Sequence, residues 1–127
     1  MDRKKISSGS QFEKEIGYSR CFVVKDMIFV SGTTGFDYSN MSISGDPAEQ
    51  TEQCIRNIES ALREADSSLK DIVKVTYILP DASDLEACKP VLRKHFGNIL
   101  PAATMLSAGL ADPRMKIEIE VIAVKPG

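Results

Sequence analysis

The chain has 127 residues, of which 43% are hydrophobic and 27% are charged, and its formal net charge is -2. A chain of this length forms one ordinary hydrophobic core, so a single domain over 1–127 is expected, and its slightly negative charge offers no overall field for nucleic acid. Apolar runs such as Met27 to Val30 are far shorter than the ~20 residues of a membrane span. The charged start, Met1 to Lys5, precedes no apolar stretch. A cytoplasmic protein with no membrane partner is therefore predicted.

The first predicted strands form a β-hairpin. Residues 18–30 read YSRCFVVKDMIFV, and Lys25-Asp26 separates two apolar stretches, as is typical of a tight polar turn. One more short strand fits Lys4 to Ser7. Strand alternation puts four side chains on one face of the hairpin: Tyr18, Arg20, Phe22 and Val24. Residues 31–47 are rich in Gly, Ser, Asp and Asn and are predicted to be mostly loop.

Two amphipathic helices are predicted, with a strand between them. Asp46-Pro47 gives the first helix a capping residue and a proline in its first turn, and apolar residues then recur at helical spacing: Ile55, Ile58, Leu62 and Ala65. The β-branched run DIVKVTYIL, residues 71–79, predicts a strand. Asp84 opens the second helix and Gly97 ends it. Pro90 inside its apolar pattern leaves two alternatives, a kinked helix or one that begins near Lys89.

The last predicted strand, Lys116 to Val124, reads KIEIEVIAV and follows a strand that starts near Ala103. One of its faces carries Ile117, Ile119, Val121 and Ala123, and the other carries Glu118, Glu120, Ile122 and Val124. If both helices cover the first face, the second face is left to line a cavity or to meet a partner. The predicted fold class is therefore α+β, a mixed sheet with two helices on one face, in an oligomer.

Three cysteines and one histidine are too few and too widely spaced for a disulfide framework or a metal site. Cys21, Cys54 and Cys88 are therefore expected to be reduced thiols that pack in the core. His95 is expected to be partly buried at the end of a helix.

Five segments of the chain form a pattern when taken in order: Ile16-Gly17-Tyr18, MIFVSG at 27–32, DIVKVTYIL at 71–79, Pro101-Ala102 and KIEIEVIAV at 116–124. Together they resemble the RidA/YjgF family, formerly labelled endoribonuclease L-PSP, over nearly the whole chain. The resemblance implies a chorismate-mutase-like homotrimer, in which three sheets close a central barrel and small molecules bind in clefts between subunits. It also implies hydrolysis of reactive enamines and imines, such as 2-aminoacrylate, without metal or organic cofactor.

The resemblance also places the site. In the family's deaminases an arginine directly after a Pro-Ala pair binds the substrate carboxylate, because a guanidinium offers two parallel donors. This chain has Ala103 there, and it departs from the family again at Met105 and Lys89. The resemblance implies water activation by Glu118, and a ligand site lined by Tyr18, Ser31, Gly32, Lys89, Ala103, Thr104 and Met105.

Several of these residues carry open alternatives. Arg20 shares a predicted face with Tyr18, so it is either a substitute for the missing arginine or an ordinary surface residue of its strand. Lys89 and Arg114 are further candidate cations. Glu118 and Glu120 either act on water or pair with basic side chains across the trimer interface. Thr33-Thr34-Gly35 lacks a following glycine-lysine motif, which favours a turn over a phosphate-binding loop.

Three functions are consistent with the sequence. The favoured one is a trimer that binds a small metabolite in intersubunit clefts with altered hydrolase or deaminase specificity, because the missing arginine removes a contact worth about 2–5 kcal/mol. The second is a 2-iminobutanoate/2-iminopropanoate deaminase with a substitute cation. The third is an endoribonuclease or translation inhibitor. It has the weakest support, because the chain is slightly acidic and lacks a basic stripe interleaved with aromatic residues.

Overall fold

The fold is built on a six-stranded mixed sheet, seen in a computed structural model that describes residues 3–126. Met1 and Asp2, part of the charged start, and Gly127 lie outside the described residues. The strands in chain order are β1 (Arg3–Ile6), β2 (Cys21–Val24), β3 (Met27–Thr34), β4 (Phe36–Asp37), β5 (Ser42–Ile43), β6 (Ile72–Leu79), β7 (Ala102–Ser107) and β8 (Glu118–Val124). The helices are α1 (Gln11–Ile16), α2 (Pro47–Glu64) and α3 (Leu85–Phe96).

The large sheet has the strand order β1-β2-β3-β8-β6-β7. All its pairs are antiparallel except β6 with β7, which are parallel. The connection between these two strands contains α3, as a parallel crossover requires. The predicted α+β class with a mixed sheet is therefore confirmed.

The two predicted long helices begin as their sequences indicate. The Asp46 side chain accepts a hydrogen bond from the Glu49 backbone N–H at 2.9 Å, which satisfies one of the free donors at the start of α2. In α3 the structure has one helix from Leu85 to Phe96 with Pro90 inside it, so the alternative of a helix beginning near Lys89 is wrong. Pro90 has no N–H, and it therefore cannot make the usual bond back to the Glu86 carbonyl.

Three short elements were not predicted: α1 and the two-stranded hairpin of β4 and β5. The expectation of a mostly irregular segment over 31–47 is wrong in part, because β3 continues to Thr34 before this hairpin. The turn expected at 33–35 is confined to a bend at Gly35, since Thr33 and Thr34 are the last residues of β3. Gly35 is required by close packing, since a side-chain carbon there would lie 2.6 Å from the Gln50 Cα of α2.

The core lies between one face of the large sheet and the helices. It contains the predicted stripes of α2 and β8, among them Ile55, Ile58, Leu62, Ile117, Ile119 and Val121. All three cysteines are free and buried, which confirms their predicted role in packing. Burial raises the pKa of the Cys21 thiol to about 11, and it also raises the pKa values of Cys54 and Cys88. These thiols are therefore poor nucleophiles in the folded chain.

His95 is half-buried near the end of α3, as predicted, and its Nε2 lies 2.7 Å from Glu52 Oε2 of α2. The same carboxylate accepts a hydrogen bond from the Lys94 Nζ at 2.9 Å. Glu52 thus links the two long helices. No helix within residues 3–126 has the length and apolar character needed to cross a bilayer.

The second face of the sheet, called the open face below, carries apolar side chains that remain accessible. Phe29 is 41% exposed, Met27 42% and Val124 38%. In β8 the predicted alternation is confirmed, since Ile119, Val121 and Ala123 are buried while the side chains between them are exposed or half-buried. The edge strand β7 is exposed along all six residues.

Candidate functional site

A bulge in β3 shapes the first part of the site. Val30 pairs with Val121 of β8 and Thr33 pairs with Ile119, so Ser31 and Gly32 together lie opposite the single residue Glu120. Such an insertion bends the strand and changes the direction of the neighbouring side chains. The Ser31 hydroxyl donates to the Ser19 carbonyl at 2.6 Å, which ties the bulge to the segment before β2.

The Glu118 carboxyl group occupies the space that a side chain at Gly32 would need. A Cβ on Gly32 would lie 2.8 Å from the Glu118 carboxyl carbon and 3.0 and 3.2 Å from its oxygens. Glycine is therefore required here for close approach. The half-buried position of Glu118 raises the pKa of its carboxyl group, and the neighbouring Glu120 acts in the same direction, whereas Arg20 opposes both.

A concavity on the open face adjoins the bulge. Its volume is about 620 Å³, and its lining includes Tyr18, Ser31, Phe29, Lys74 and Glu120. Apolar walls with a few polar groups are typical of sites for small organic molecules. Tyr18 and Ser31, two of the residues proposed for ligand binding, thus lie at one place.

Arg20 is buried at this site, with only 2% of its surface exposed. Its guanidinium donates to the Gly32 carbonyl at 2.7 Å, to the Thr33 hydroxyl at 3.0 Å and to the Tyr18 hydroxyl at 3.3 Å. The expectation of an ordinary surface residue is therefore wrong. The physical reason is a bend at Arg20 before β2 begins at Cys21, which frees its side chain from the alternation of the strand.

The remaining predicted site residues lie on or near β7, the edge strand beside β6. Ala103 pairs in register with Val75, a buried residue of β6, and so faces the helices rather than the open face. It lines a groove of about 360 Å³ together with Lys89, Arg93 and Leu100. Met105 shares the side of Ala103, while Thr104 points the other way and accepts a hydrogen bond from Lys74 Nζ at 2.6 Å.

The structure thus separates the predicted site into two halves. Tyr18, Ser31, Gly32 and Glu118 form the bulge half, and Lys89, Ala103 and Met105 form the edge half. Strand β6 lies between β8 and β7, and the two halves open toward opposite faces of the sheet. One copy of the chain therefore does not bring them together.

The other candidate cations are already paired on the surface. Lys89 Nζ lies 2.7 Å from Glu86 Oε1, with the Lys89 side chain 48% exposed. Arg114 forms a two-point contact with Asp112, and its hydrogen bonds help to lower the pKa of that carboxyl group to about 2. Of these two, only Lys89 lines the groove beside Ala103.

Two residues that contact Arg20 next to the bulge half were not predicted from the sequence. Glu13 of α1 lies 3.6 Å from the Arg20 Nε, and the Tyr38 ring lies 4.8 Å from the guanidinium carbon. A local signal was present for Glu13, since Ser10 and Glu13 have the spacing of a capping box. The Ser10 side chain accepts from the Glu13 N–H at 3.3 Å, and the Ser10 hydroxyl donates to the Glu13 carboxylate at 2.7 Å. No comparable signal marks Tyr38.

Comparison with known proteins adds independent information. The family model for endoribonuclease L-PSP matches residues 9–125. A RutC family protein of Pyrococcus abyssi is 36% identical over 96% of this chain and 98% of its own length. A rat (Rattus norvegicus) protein named 2-iminobutanoate/2-iminopropanoate deaminase is 32% identical over 96% of this chain and 90% of its own.

Solved structures give the same result. A Mycobacterium tuberculosis member of the YjgF/YER057c/UK114 family has a TM-score of 0.88 and 34% identity, covering 97% of this chain and 99% of that one. A Thermotoga maritima protein has a TM-score of 0.84 and 31% identity, covering 98% and 94%. The match extends over nearly the whole length in both sequence and backbone, and the chain therefore belongs to the RidA/YjgF family, the family of the endoribonuclease L-PSP model.

Proposed function

We propose that this chain acts as a homotrimer that binds a small metabolite in clefts between subunits and hydrolyses it at a carbon–nitrogen bond, with a specificity altered at Ala103. The observation that carries the proposal is the Glu118 carboxyl group, held half-buried over Gly32, whose neighbour Ser31 lines the concavity of the open face. A carboxyl group in such a place is suited to orienting and deprotonating a water molecule.

The proposed chemistry needs only this carboxylate, a water molecule and a C=N bond. Glu118 takes a proton from the water as the water oxygen bonds to the imine carbon, the electron pair of the C=N bond moves to nitrogen, and Glu118 passes the same proton to that nitrogen and becomes a carboxylate again. The resulting carbinolamine then collapses to a carbonyl compound and ammonia. The raised pKa of Glu118 brings its basicity closer to that of an effective general base at neutral pH.

The separation of the two half-sites supports a cleft between subunits. Within one chain the bulge half and the edge half open to opposite faces of the sheet. A second subunit that packs on the open face would cover Phe29 and Met27 and bring its own edge half near Glu118. The proposed cleft is thus formed by residues of both subunits.

Ala103 supports a change of ligand class. A methyl group cannot make the charge-assisted pair that a guanidinium makes with a carboxylate. The groove next to Ala103 is instead lined largely by apolar side chains, including Tyr77, Leu92, Phe96 and Leu100. A neutral imine, or one with its anionic group displaced toward Lys89, fits this groove better than the imine of a simple amino acid.

The test compares hydrolysis of neutral imines with hydrolysis of freshly generated 2-aminoacrylate. The native protein should accelerate ammonia release from at least one neutral imine more than from 2-aminoacrylate. Glu118→Gln should lower that rate by about 10²-fold, the range of a lost general base. Glu59→Gln, which changes a carboxylate of α2 whose side chain is 43% exposed, should leave it unchanged. No acceleration over buffer for any imine, or full activity of Glu118→Gln, would contradict the proposal.

A second candidate is a 2-iminobutanoate/2-iminopropanoate deaminase with a substitute cation, which is favoured by the name of the rat relative. Arg20 supports it poorly, because Gly32, Thr33 and Tyr18 already accept its hydrogen bonds. Lys89 is the better substitute. Strong acceleration with 2-iminobutanoate that Lys89→Ala abolishes would favour this candidate over the first.

An endoribonuclease, the activity in the name of the matching family model, is the third candidate. The formal charge of -2 gives it little support. An RNA cleavage assay that compares the native protein with Glu118→Gln tests this candidate. Cleavage that is equal in both proteins would come from a contaminant.

A further inference from the structure

We propose that Arg20 is a positioning residue that holds both sides of the bulge half and couples them to the segment Ser7–Glu13. The inference rests on the proposed function only for its kinetic consequence, because the geometry itself is independent of any ligand.

Arg20 contacts both Tyr18 and the segment of β3 on which the Glu118 carboxyl group lies. One guanidinium nitrogen donates to the Gly32 carbonyl at 2.7 Å and the Thr33 hydroxyl at 3.0 Å, and these bonds fix the bulge of β3. The other terminal nitrogen donates to the Tyr18 hydroxyl at 3.3 Å. A single planar cation thus sets the distance between the bulge and the Tyr18 ring.

Arg20 is itself held by Glu13. The Arg20 Nε lies 3.6 Å from Glu13 Oε2, and the two side chains are only 2% and 3% exposed. Among residues 3–126 this Nε has no hydrogen-bond partner, so the contact with Glu13 is an ion pair. Two unpaired charges at this depth would be strongly destabilising, and each therefore requires the other.

Three serines orient the Glu13 carboxylate. It accepts hydrogen bonds from the hydroxyl groups of Ser7, Ser8 and Ser10 and from the Ser8 backbone N–H. Burial alone would raise the pKa of Glu13, but these hydrogen bonds and the charge of Arg20 hold it below its usual range. Glu13 is therefore ionised at neutral pH and keeps Arg20 in place.

Two charged groups act on the Glu118 carboxyl group besides burial, and Glu118 in turn acts on one thiol. Arg20 stabilises its ionised form, Glu120 opposes ionisation, and the thiol of Cys54 lies close enough for Glu118 to raise the pKa of that thiol. Cys54 stays neutral because its own pKa is raised far above neutral pH by burial. Removal of the Arg20 charge should therefore shift the Glu118 titration upward, whereas a lysine at 20 should largely preserve it.

The experiment compares Arg20→Lys with the double variant Arg20→Gln/Glu13→Gln, which avoids leaving Glu13 unpaired. The control is Arg63→Gln, a change at an arginine of α2 whose side chain is 75% exposed. The primary measurement is the Glu118 titration followed by carboxyl 13C NMR without any substrate. The double variant should titrate at higher pH than the native protein, while Arg20→Lys and Arg63→Gln should titrate close to it.

The kinetic measurement separates charge from geometry. Lysine keeps the charge but cannot donate to Gly32 and Tyr18 in the same planar arrangement. Arg20→Lys should therefore lower kcat on the neutral imine by about 10²-fold, the effect of a misplacement near 1 Å, with a smaller change in KM. A structural role alone would leave kcat and the Glu118 titration of folded variants unchanged.

Two outcomes would overturn the proposal: a native Glu118 titration in the folded double variant, or native NMR signals of Tyr18 and Gly32 in Arg20→Lys. If the double variant does not fold, 15N NMR of the Arg20 side chain in the native protein decides, because free rotation about its Cζ–Nε bond would also overturn it. An absence of imine hydrolysis together with a shifted titration would contradict only the proposed function.

Discussion

Substitution of Gly32 by alanine tests the role of the Glu118 carboxyl group most directly. The new Cβ would lie 2.8 Å from the carboxyl carbon, and ordinary contact needs 3.4–4 Å, so the carboxyl must retreat by about 0.6–1.2 Å. A misplacement near 1 Å lowers catalytic rates by about 10²-fold, which corresponds to about 2.7 kcal/mol in the activation free energy. We therefore expect Gly32→Ala to lower kcat for imine hydrolysis by this factor.

The same substitution should change stability little. Gly32 is not among the glycines with positive φ, so alanine adopts its backbone conformation without strain. The group that must move is the end of a flexible side chain, and the free energy of unfolding should stay within about 1 kcal/mol of the native value. Steady-state kinetics and urea unfolding measure the two effects separately.

The matched control is Gly45→Ala, at an exposed position where a Cβ would meet nothing within 4 Å. It should leave both kcat and stability near their native values. Native kcat in Gly32→Ala, with the protein folded, would refute the assignment of Glu118 as the group that acts on water.

Three further outcomes are expected. Ala103→Arg should raise kcat/KM for 2-iminobutanoate by a factor of tens to thousands, equivalent to about 2–5 kcal/mol. Ala87→Arg, on the exposed side of α3, should not raise it. The absence of any gain in Ala103→Arg would contradict the role given to position 103. Ile122→Asp should dissociate the oligomer, as measured by light scattering, because a charge would be buried without a partner. Ser60→Asp on α2 should leave the oligomer intact. An oligomer that survives Ile122→Asp would argue against the open face as the interface. The raised pKa of Glu118 makes the folded chain bind its proton more tightly than the unfolded chain, so the stability from this group is present below the ordinary glutamate pKa and lost as pH rises through the raised one. Glu118→Gln should therefore gain stability relative to the native protein across that window in thermal melts, and a difference that stays constant with pH would contradict the shift.

Elements with a long, regular pattern could be predicted from the sequence. The alternation of β8, the apolar stripe and Asp46 cap of α2, and the β-branched run of β6 each combine local preference with burial, and all three were confirmed. Helix α1 and strands β4 and β5 have two to six residues, too few for a periodic pattern. Their positions depend on contacts with distant residues, such as the ring contact of Phe12 with Phe36 and the hydrogen bond from Asn57 to the Phe36 carbonyl, which a local pattern does not contain.

The site could be predicted only in part, because contacts between residues distant in sequence determine the environment of some of its members. The resemblance to a family supplied the residue types at positions 18, 31, 32, 103 and 118. The burial of Arg20 depends on a backbone bend and on Glu13, and strand alternation therefore gave the wrong environment for it. The separation into two half-sites follows from the strand order, in which β6 lies between β7 and β8.

The three buried thiols also bear on how this protein fails when heated. In the folded chain the raised pKa values of Cys21, Cys54 and Cys88 keep them neutral and sheltered. Unfolding returns them to the ordinary cysteine pKa of about 8.5, where the thiolate forms readily. Because three is an odd number, internal pairing leaves one thiol to cross-link to another chain. We therefore expect thermal unfolding in air to be irreversible with an apparent Tm that depends on scan rate, and a reductant to remove this covalent contribution.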